Sequence, residues 1–355
     1  MSNHLTKLFL LLSLTIGISC SSENSNLSNE KITWKLSDGI EFPNERKLSR
    51  AEDGVMLQDG TLIVADQRYG LARIDLSGNV EPFGNFKSLG YQHNPPIRES
   101  GPNGVHLTPD KKYILTADVF AGQIYKSSVA NNSTEIIYSH KYGVNTARED
   151  TTGAVWFTQS TENQNEERLF GGLAKQIPDG SLYRLSRDYT TSSDLMPKLI
   201  LGGLNFANGF YLDEKRNRFY LSEMMSNRVL AFDLDVSSGT LSNQTTLAKI
   251  PSPDNMELNH DGFLWVASPL SNQIFAIDVD SGASYVVFDA QTVGGSETVN
   301  KGLSNVVNGG GIADLLSPEN TGDMPGLLTG MIIGEKTQPF YVANLGEALI
   351  EVSKD

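Results

Sequence analysis

Six copies of one register run along this chain, and that register constrains its fold more than any other feature. In each copy a turn-rich segment leads into an apolar strand, a short hairpin, and a second strand with a small or polar end. The lead residues are Glu52, Asn103, Asn145, Asn208, Asp254 and Thr329; the strand ends are Asp66, Asp118, Gln159, Glu223, Ser268 and Asn344. Lead and end lie 14 or 15 residues apart every time. Repetition at this scale marks a solenoid or a propeller, because one unit cannot bury its apolar face alone.

The copies read as β structure throughout. Residues 61–65, 113–116, 154–158, 218–221, 263–267 and 340–343 are rich in β-branched, aromatic and aliphatic side chains and have strand length. Turns such as Gln58-Asp59-Gly60 and His260-Asp261-Gly262 precede them, with glycine where a tight hairpin needs positive φ. Third strands follow at 70–75, 123–127, 181–185, 228–234, 273–278 and 348–352, and no long segment has helical apolar periodicity. The 33 glycines and 14 prolines fit a folded, turn-rich protein. The expected fold is all-β, a six-bladed β-propeller, since radial repetition protects the sheet edges. A β-sandwich is the alternative, but it gives no reason for six copies in one register. The sixth copy stops soon after its third strand, so closing the ring requires one more. Residues 32–36, Ile-Thr-Trp-Lys-Leu, are expected to supply the outer strand of the sixth blade, making 32–355 the propeller.

The formal charge of −14 excludes the basic face that nucleic-acid recognition needs and disfavours an anionic membrane surface. Membrane association is expected from the N-terminus instead. Lys7 precedes an apolar run, residues 8–18, of signal-peptide length and too short to span a bilayer. It ends at Gly17-Ile18-Ser19-Cys20, and Cys20 is the only cysteine. This resembles a bacterial lipoprotein signal, which implies removal of residues 1–19 and lipidation of Cys20. Gly17 stands where that pattern usually has a larger aliphatic residue, and ordinary secretory cleavage is the competing reading. Residues 20–31 would then be a polar, flexible tether, and the protein would sit in the cell envelope, periplasmic or at the surface, held only by its lipid. No thiol would remain for disulfides, metals or nucleophilic catalysis.

In a propeller the register brings all six lead residues to the mouth of the central channel. Glu52, Asn145, Asn208 and Asp254 would converge from four blades and present only oxygen donors with two negative charges. That set suits Ca²⁺, and suits Mg²⁺ less because Mg²⁺ prefers to retain water. Asn103 would be a fifth ligand, a water holder or a substrate contact. Each residue alone has a plainer reading: Asn-Gly pairs form turns, Asp254 could start its strand through backbone bonds, and Glu52 could be a solvated acid. Their shared register favours the metal site over these. Asp66, Asp118, Gln159 and Glu223 are weaker candidates for substrate contacts. His93, His106, His140 and His260 fall at unrelated places in the repeat, and His106 and His260 read as structural. Two inserts, 160–178 and 291–325, read as long and irregular and could cover the mouth.

The segments Ala51-Glu52-Asp53-Gly54, Val144-Asn145-Thr146, Ala207-Asn208-Gly209 and Pro253-Asp254-Asn255 resemble motifs of the gluconolactonase/regucalcin (senescence marker protein) superfamily. Strictosidine-synthase-like proteins, paraoxonases and diisopropyl-fluorophosphatase are its relatives. The resemblance spans roughly residues 45–355 and implies a propeller with a channel-mouth divalent metal, usually Ca²⁺. The implied ligands are Glu52, Asn145, Asn208 and Asp254, with Asn255 joining them as ligand or substrate contact. Some relatives hold a second calcium in the channel, and the sequence leaves that open. Thr146 stands where many relatives have Asp, and Asn103 where paraoxonases place a catalytic histidine, which argues against a histidine dyad. The implied chemistry is metal-assisted hydrolysis of a lactone or similar small ester, with Asp254 as general base and the chain acting as a monomer on a small molecule. Phosphotriester hydrolysis would share the metal. The rival from another class is a non-catalytic, surface-anchored binding propeller with structural calcium.

Overall fold

The computed structural model describes residues 31–162, 165–186 and 196–353. The expected signal, Cys20 and the tether up to residue 30 lie outside them. From Ile32 onward the chain forms one compact unit of six sheets arranged as propeller blades. Two short strands come first in the chain, β1 (Trp34–Lys35) and β2 (Gly39–Phe42). Blade one then runs from inner to outer strand as β3 (Gly54–Met56), β4 (Leu62–Asp66), β5 (Gly70–Ile74) and β6 (Val80–Phe83). Blade two is β7 (Pro102–Leu107), β8 (Tyr113–Asp118), β9 (Gln123–Ser128) and β10 (Thr134–Ser139); blade three is β11 (Thr146–Glu149), β12 (Val155–Gln159), β13 (Gly180–Leu185) and β14 (Lys198–Leu204). Blade four is β15 (Ala207–Asp213), β16 (Arg218–Glu223), β17 (Arg228–Asp235) and β18 (Thr240–Ala248). Blade five is β19 (Met256–Leu258), β20 (Phe263–Ser268), β21 (Gln273–Asp278) and β22 (Ser284–Asp289). Blade six is β23 (Leu328–Ile333), β24 (Phe340–Asn344) and β25 (Leu349–Val352), completed by β2.

The ring closes through the N-terminal segment, but with a different strand from the one expected. The outer strand of blade six is β2, antiparallel to β25 with Gly39 opposite Val352. Residues 34–35, within the segment expected there, instead add β1 in parallel to the outer edge of blade five, Trp34 opposite Phe288. A single 3₁₀ turn, Leu36–Asp38, carries the chain across, and the Asp38 carboxylate accepts the Lys35 N–H at 2.7 Å. Burial explains the choice. Trp34 is 7% exposed and stands edge-on to Phe340, 6.4 Å between centroids, in the apolar cluster shared by blades five and six. Burying an aromatic ring of that size outweighs the few ladder bonds that another register would form.

Each seam between neighbouring blades has its own apolar cluster. Ile63 and Ala65 meet Val105 and Ile114 between blades one and two, and Leu115 and Ala117 meet Val155 and Phe157 between two and three. Trp156 and Leu182 meet Phe210 and Phe219 at the next seam, and Tyr220 and Val229 meet Leu264 and Val266 at the one after. Leu62 and Val64 close the circle against Ile332 and Tyr341. Alternation along each strand therefore feeds both seams of its blade, which is why the second strands, such as Leu62–Asp66 and Phe263–Ser268, read as nearly continuous apolar runs.

The two inserts are more ordered than their sequence suggests. The first contains α1 (Asn165–Ala174); the second contains α2 (Gly295–Val307) and the one-turn α3 (Pro318–Thr321). In α2, Val299, Leu303 and Val306 share one face, but the helix is short and Gly- and Ser-rich, so the periodicity is faint. Gly302 lets it lie directly on Leu270, whose Cδ2 would be 2.6 Å from an added Cβ. Leu173, Phe206, Met224, Met225, Leu270, Val306, Ile312 and Leu315 form one cluster that fastens both inserts over blades four and five.

Candidate metal centre

In blades two, four and six the residue before the lead residue pairs with the second-strand end: Pro102 with Asp118, Ala207 with Glu223, Leu328 with Asn344. The register then slips, and the lead residue sits inside the slip. Such bulges re-aim a side chain out of the regular alternation. The following glycines are not turn residues. Gly104 lies in β7, where an added Cβ would be 2.9 Å from Thr146 Cα, and Gly209 lies in β15, 2.7 Å from Asn255 Cα. Asn-Gly here serves the close approach of neighbouring inner strands around the channel, and the turn reading of these pairs does not hold.

All six lead residues are at most 5% exposed, and they touch one another across blades. Asn255 donates from Nδ2 to Glu52 Oε1 at 3.1 Å. Asn103 donates from Nδ2 to the Asn145 carbonyl at 3.2 Å. The Thr146 hydroxyl donates to Asn145 Oδ1 at 3.0 Å, so the residue that departs from the family pattern orients the amide before it. Asn208 donates from Nδ2 to Met224 Sδ at 3.4 Å, leaving its Oδ1 for the channel. Thr329 Oγ1 donates to the Glu52 carbonyl at 2.8 Å, holding the backbone of blade one rather than offering a ligand.

Three buried oxygens in this ring have no hydrogen-bond partner: Glu52 Oε2, Asn208 Oδ1 and Asn255 Oδ1. Each such orphan costs about 1–3 kcal/mol, and the three come from blades one, four and five. Among the described residues no group of three or more His, Cys, Asp and Glu could hold a metal. The donors here are mostly carboxamides, and a mixed amide and carboxylate set is what a hard, oxygen-seeking cation takes.

The electrostatics agree with that fit. Burial, then the nearby Asp254 charge, pushes the Glu52 carboxyl up to about 8. Burial does the same to Asp254, up to about 8, with the Asn208 hydrogen bond opposing and Asp53 reinforcing it. Burial and the Glu52 charge hold Asp53 well above the usual range, although Val105 N–H donates to its Oδ2 at 2.8 Å. Acids crowded into one dry site raise one another's proton affinity until a cation relieves them.

One member of the site was not legible in the repeat. Arg50 precedes Glu52 by two residues, at a position with no constant side chain among the copies. Its backbone is left-handed (φ +57°), an uncommon state for a non-glycine residue. Its Nη2 donates to Asn103 Oδ1 at 2.8 Å, its Nη1 donates to the Pro102 carbonyl, and its guanidinium lies 5.4 Å from the Phe120 ring centre. Its charge favours ionised Glu52 and Asp254.

The strand-end residues are engaged with backbone groups and, at Asp66 and Glu223, with the Arg68 and Arg228 side chains. Asp118 Oδ1 accepts from the N–H groups of Gly101, Phe120 and Ala121, at 2.8, 3.0 and 2.8 Å. Gln159 donates to the Asp179 carbonyl at 2.9 Å. Glu223 accepts from Asn205 N–H at 2.9 Å and from Arg228 at 2.6 Å, and Asp66 accepts from Ser49 N–H at 3.1 Å. Farther along the channel a cavity of about 320 Å³ is lined by His106, Arg148, Tyr211 and Glu257. Burial holds His106 well below its ordinary pKa, so it is a neutral imidazole. A larger cavity, about 610 Å³, lies between α2 and blade four and shares no residue with the ring.

Residues 138–290 match the family described as SMP-30/Gluconolactonase/LRE-like region. Zebrafish (Danio rerio) regucalcin is 29% identical over 124 residues, 32% of this chain and 40% of the relative. The gluconolactonase of Zymomonas mobilis is 26% identical over 228 residues, 57% of this chain and 56% of that protein. The chain therefore spans about half or less of these curated relatives. Among solved structures, the calcium-binding protein regucalcin from Agrobacterium tumefaciens superposes with a TM-score of 0.58 at 12% identity, covering 90% of this chain and 95% of that one.

Proposed function

We propose that this relative of the gluconolactonase/regucalcin superfamily is a calcium-dependent hydrolase that opens a lactone or similar small ester at the channel mouth. The observation that carries the reading is the set of three orphaned buried oxygens, Glu52 Oε2, Asn208 Oδ1 and Asn255 Oδ1, beside the paired acids Glu52 and Asp254. Glu52, Asn145, Asn208 and Asp254 would hold the cation, with Asn255 alongside. Such a cation, when bound, polarises a carbonyl as a Lewis acid.

The rest of the chemistry falls to the chain. Asp254 takes the proton from the attacking water at its carboxylate. Thr146 and Met224 fix the amide orientations of Asn145 and Asn208 before substrate arrives, so no reorganisation is needed during reaction. The helical inserts shield the blade-four and blade-five side from water, which strengthens every charge interaction within.

Turnover of a panel of lactones, esters and phosphotriesters tests this. Activity toward lactones is expected to vanish in EDTA and return with Ca²⁺. No turnover of any compound by calcium-loaded protein defeats the hydrolase and leaves a binding propeller. Phosphotriester turnover without lactone turnover moves the substrate class. Export and lipid anchoring at Cys20 belong to the same proposal: Cys20→Ser is expected to move the protein from the membrane fraction to the soluble one, and unchanged fractionation would refute the anchor.

A further inference from the structure

We propose that Arg50 forms an acid-group subsite beside the metal centre, so that the preferred substrate is a lactone carrying a second, ionised carboxylate. The inference rests on the hydrolase reading for the word lactone, and on Arg50 itself for the acid group.

Arg50 is held as a presented cation. Two of its five N–H donors go to Pro102 O and Asn103 Oδ1, and Phe120 supports the guanidinium from one side. None of its donors reaches a carboxylate within ion-pair distance among the described residues. The carboxylates whose charges act on it, Glu52 first and then Asp118, make no hydrogen bond to it among the described residues, and Asp118 spends Oδ1 on three backbone N–H groups. Asn103 stands between Arg50 and the Asn145 carbonyl, which puts the open guanidinium edge one side chain away from the ring oxygens. A group bound there is a substituent of the substrate rather than its reacting carbonyl.

A second cation lies near the first. Arg98, exposed on the 84–101 connection between blades one and two, is close enough for its charge to oppose that of Arg50. Two guanidinium groups repel each other at the rim of a chain whose formal charge is −14. A planar carboxylate matches the forked geometry of guanidinium donors.

The test uses the full chain loaded with calcium and two lactones of one carbon skeleton: D-glucaro-1,4-lactone, with a carboxylate at C6, and D-glucono-1,4-lactone, with a hydroxymethyl there. The ratio of their kcat/KM values is expected to favour the acid lactone, and to fall about 10- to 100-fold in Arg50→Met. Arg98→Ser, on an exposed loop where folding is not at stake, is expected to lower the ratio about threefold. Calorimetry with D-glucarate and D-gluconate gives a second readout. Glucarate affinity is expected to drop about tenfold in Arg50→Met while gluconate affinity changes less. A wild-type ratio near one, or equal losses for both lactones in both variants, would show that Arg50 merely ties blades one and two together and would overturn the subsite. If no lactone is hydrolysed but glucarate binding still depends on Arg50, the subsite stands and the hydrolase reading falls. Absence of both hydrolysis and glucarate binding removes the subsite as well.

Discussion

Replacing Asp254 by alanine is expected to lower calcium-supported lactone turnover by about a thousandfold or more. Loss of a positioned general base alone is worth about 10²–10⁴ in rate. On the proposed ligand set a metal ligand goes as well, so calorimetric calcium affinity should fall in the same variant. Asp254→Asn separates the two roles. Its amide oxygen can still meet a cation, as the neighbouring carboxamides are placed to do, but it cannot accept a proton from water. The asparagine variant is therefore expected to keep measurable calcium binding and still lose turnover. Activity within tenfold of the parent would remove Asp254 as the base.

The metal-free protein is expected to lose stability as pH rises, and calcium to restore it. In the unfolded chain Glu52 releases its proton near the ordinary value of 4.5, whereas in the folded protein it keeps the proton to about 8. Asp254 follows the same course, from 3.8 to about 8. Across that window the folded state binds more protons than the unfolded state, so the slope of unfolding free energy against pH is negative. The penalty is absent below about pH 4 and complete above about pH 8. A cation bound between the acids removes it. Calcium at a hundred times its Kd adds about 2.7 kcal/mol, which for a chain of this size is a rise of about 4 °C in Tm. Glu52→Gln should raise the metal-free Tm at pH 9, leave it nearly unchanged at pH 4, and erase the calcium response. Thermal unfolding at both pH values, with and without calcium, reads all of this. A parent protein with equal metal-free stability at pH 4 and pH 9 would show that the acids are not crowded.

The blade count and the ring of lead residues were legible because a propeller repeats one register, and a register survives when letters change. The 14- or 15-residue interval by itself groups Glu52, Asn145, Asn208 and Asp254. The closing strand was misplaced by a few residues. Residues 32–36 and 39–42 are both strand-like, and only the fit of Trp34 against Phe340 decides which blade each joins. The α2 helix is not legible in the sequence because three apolar residues among glycines and serines make a weak stripe. Arg50 was invisible for another reason. It reaches the site through a left-handed backbone that no alternation or spacing reports, and its partners Pro102 and Asn103 belong to the next blade. The work of Thr146 and Met224, orienting two amides, likewise exists only once neighbouring segments meet.

The glycines behind Asn103 and Asn208 have a consequence for how such a site can diversify. At both positions the limiting contact is with the backbone of the next blade, Thr146 Cα in one case and Asn255 Cα in the other. The aperture is therefore gauged by main chain against main chain, independent of which side chains line it. Exchanging a lead residue then alters the donors without altering the bore, much as jewels are changed in a fixed setting. Inserting a methyl group at either glycine does the opposite: it spreads two blades and detunes every donor at once, whatever their chemistry.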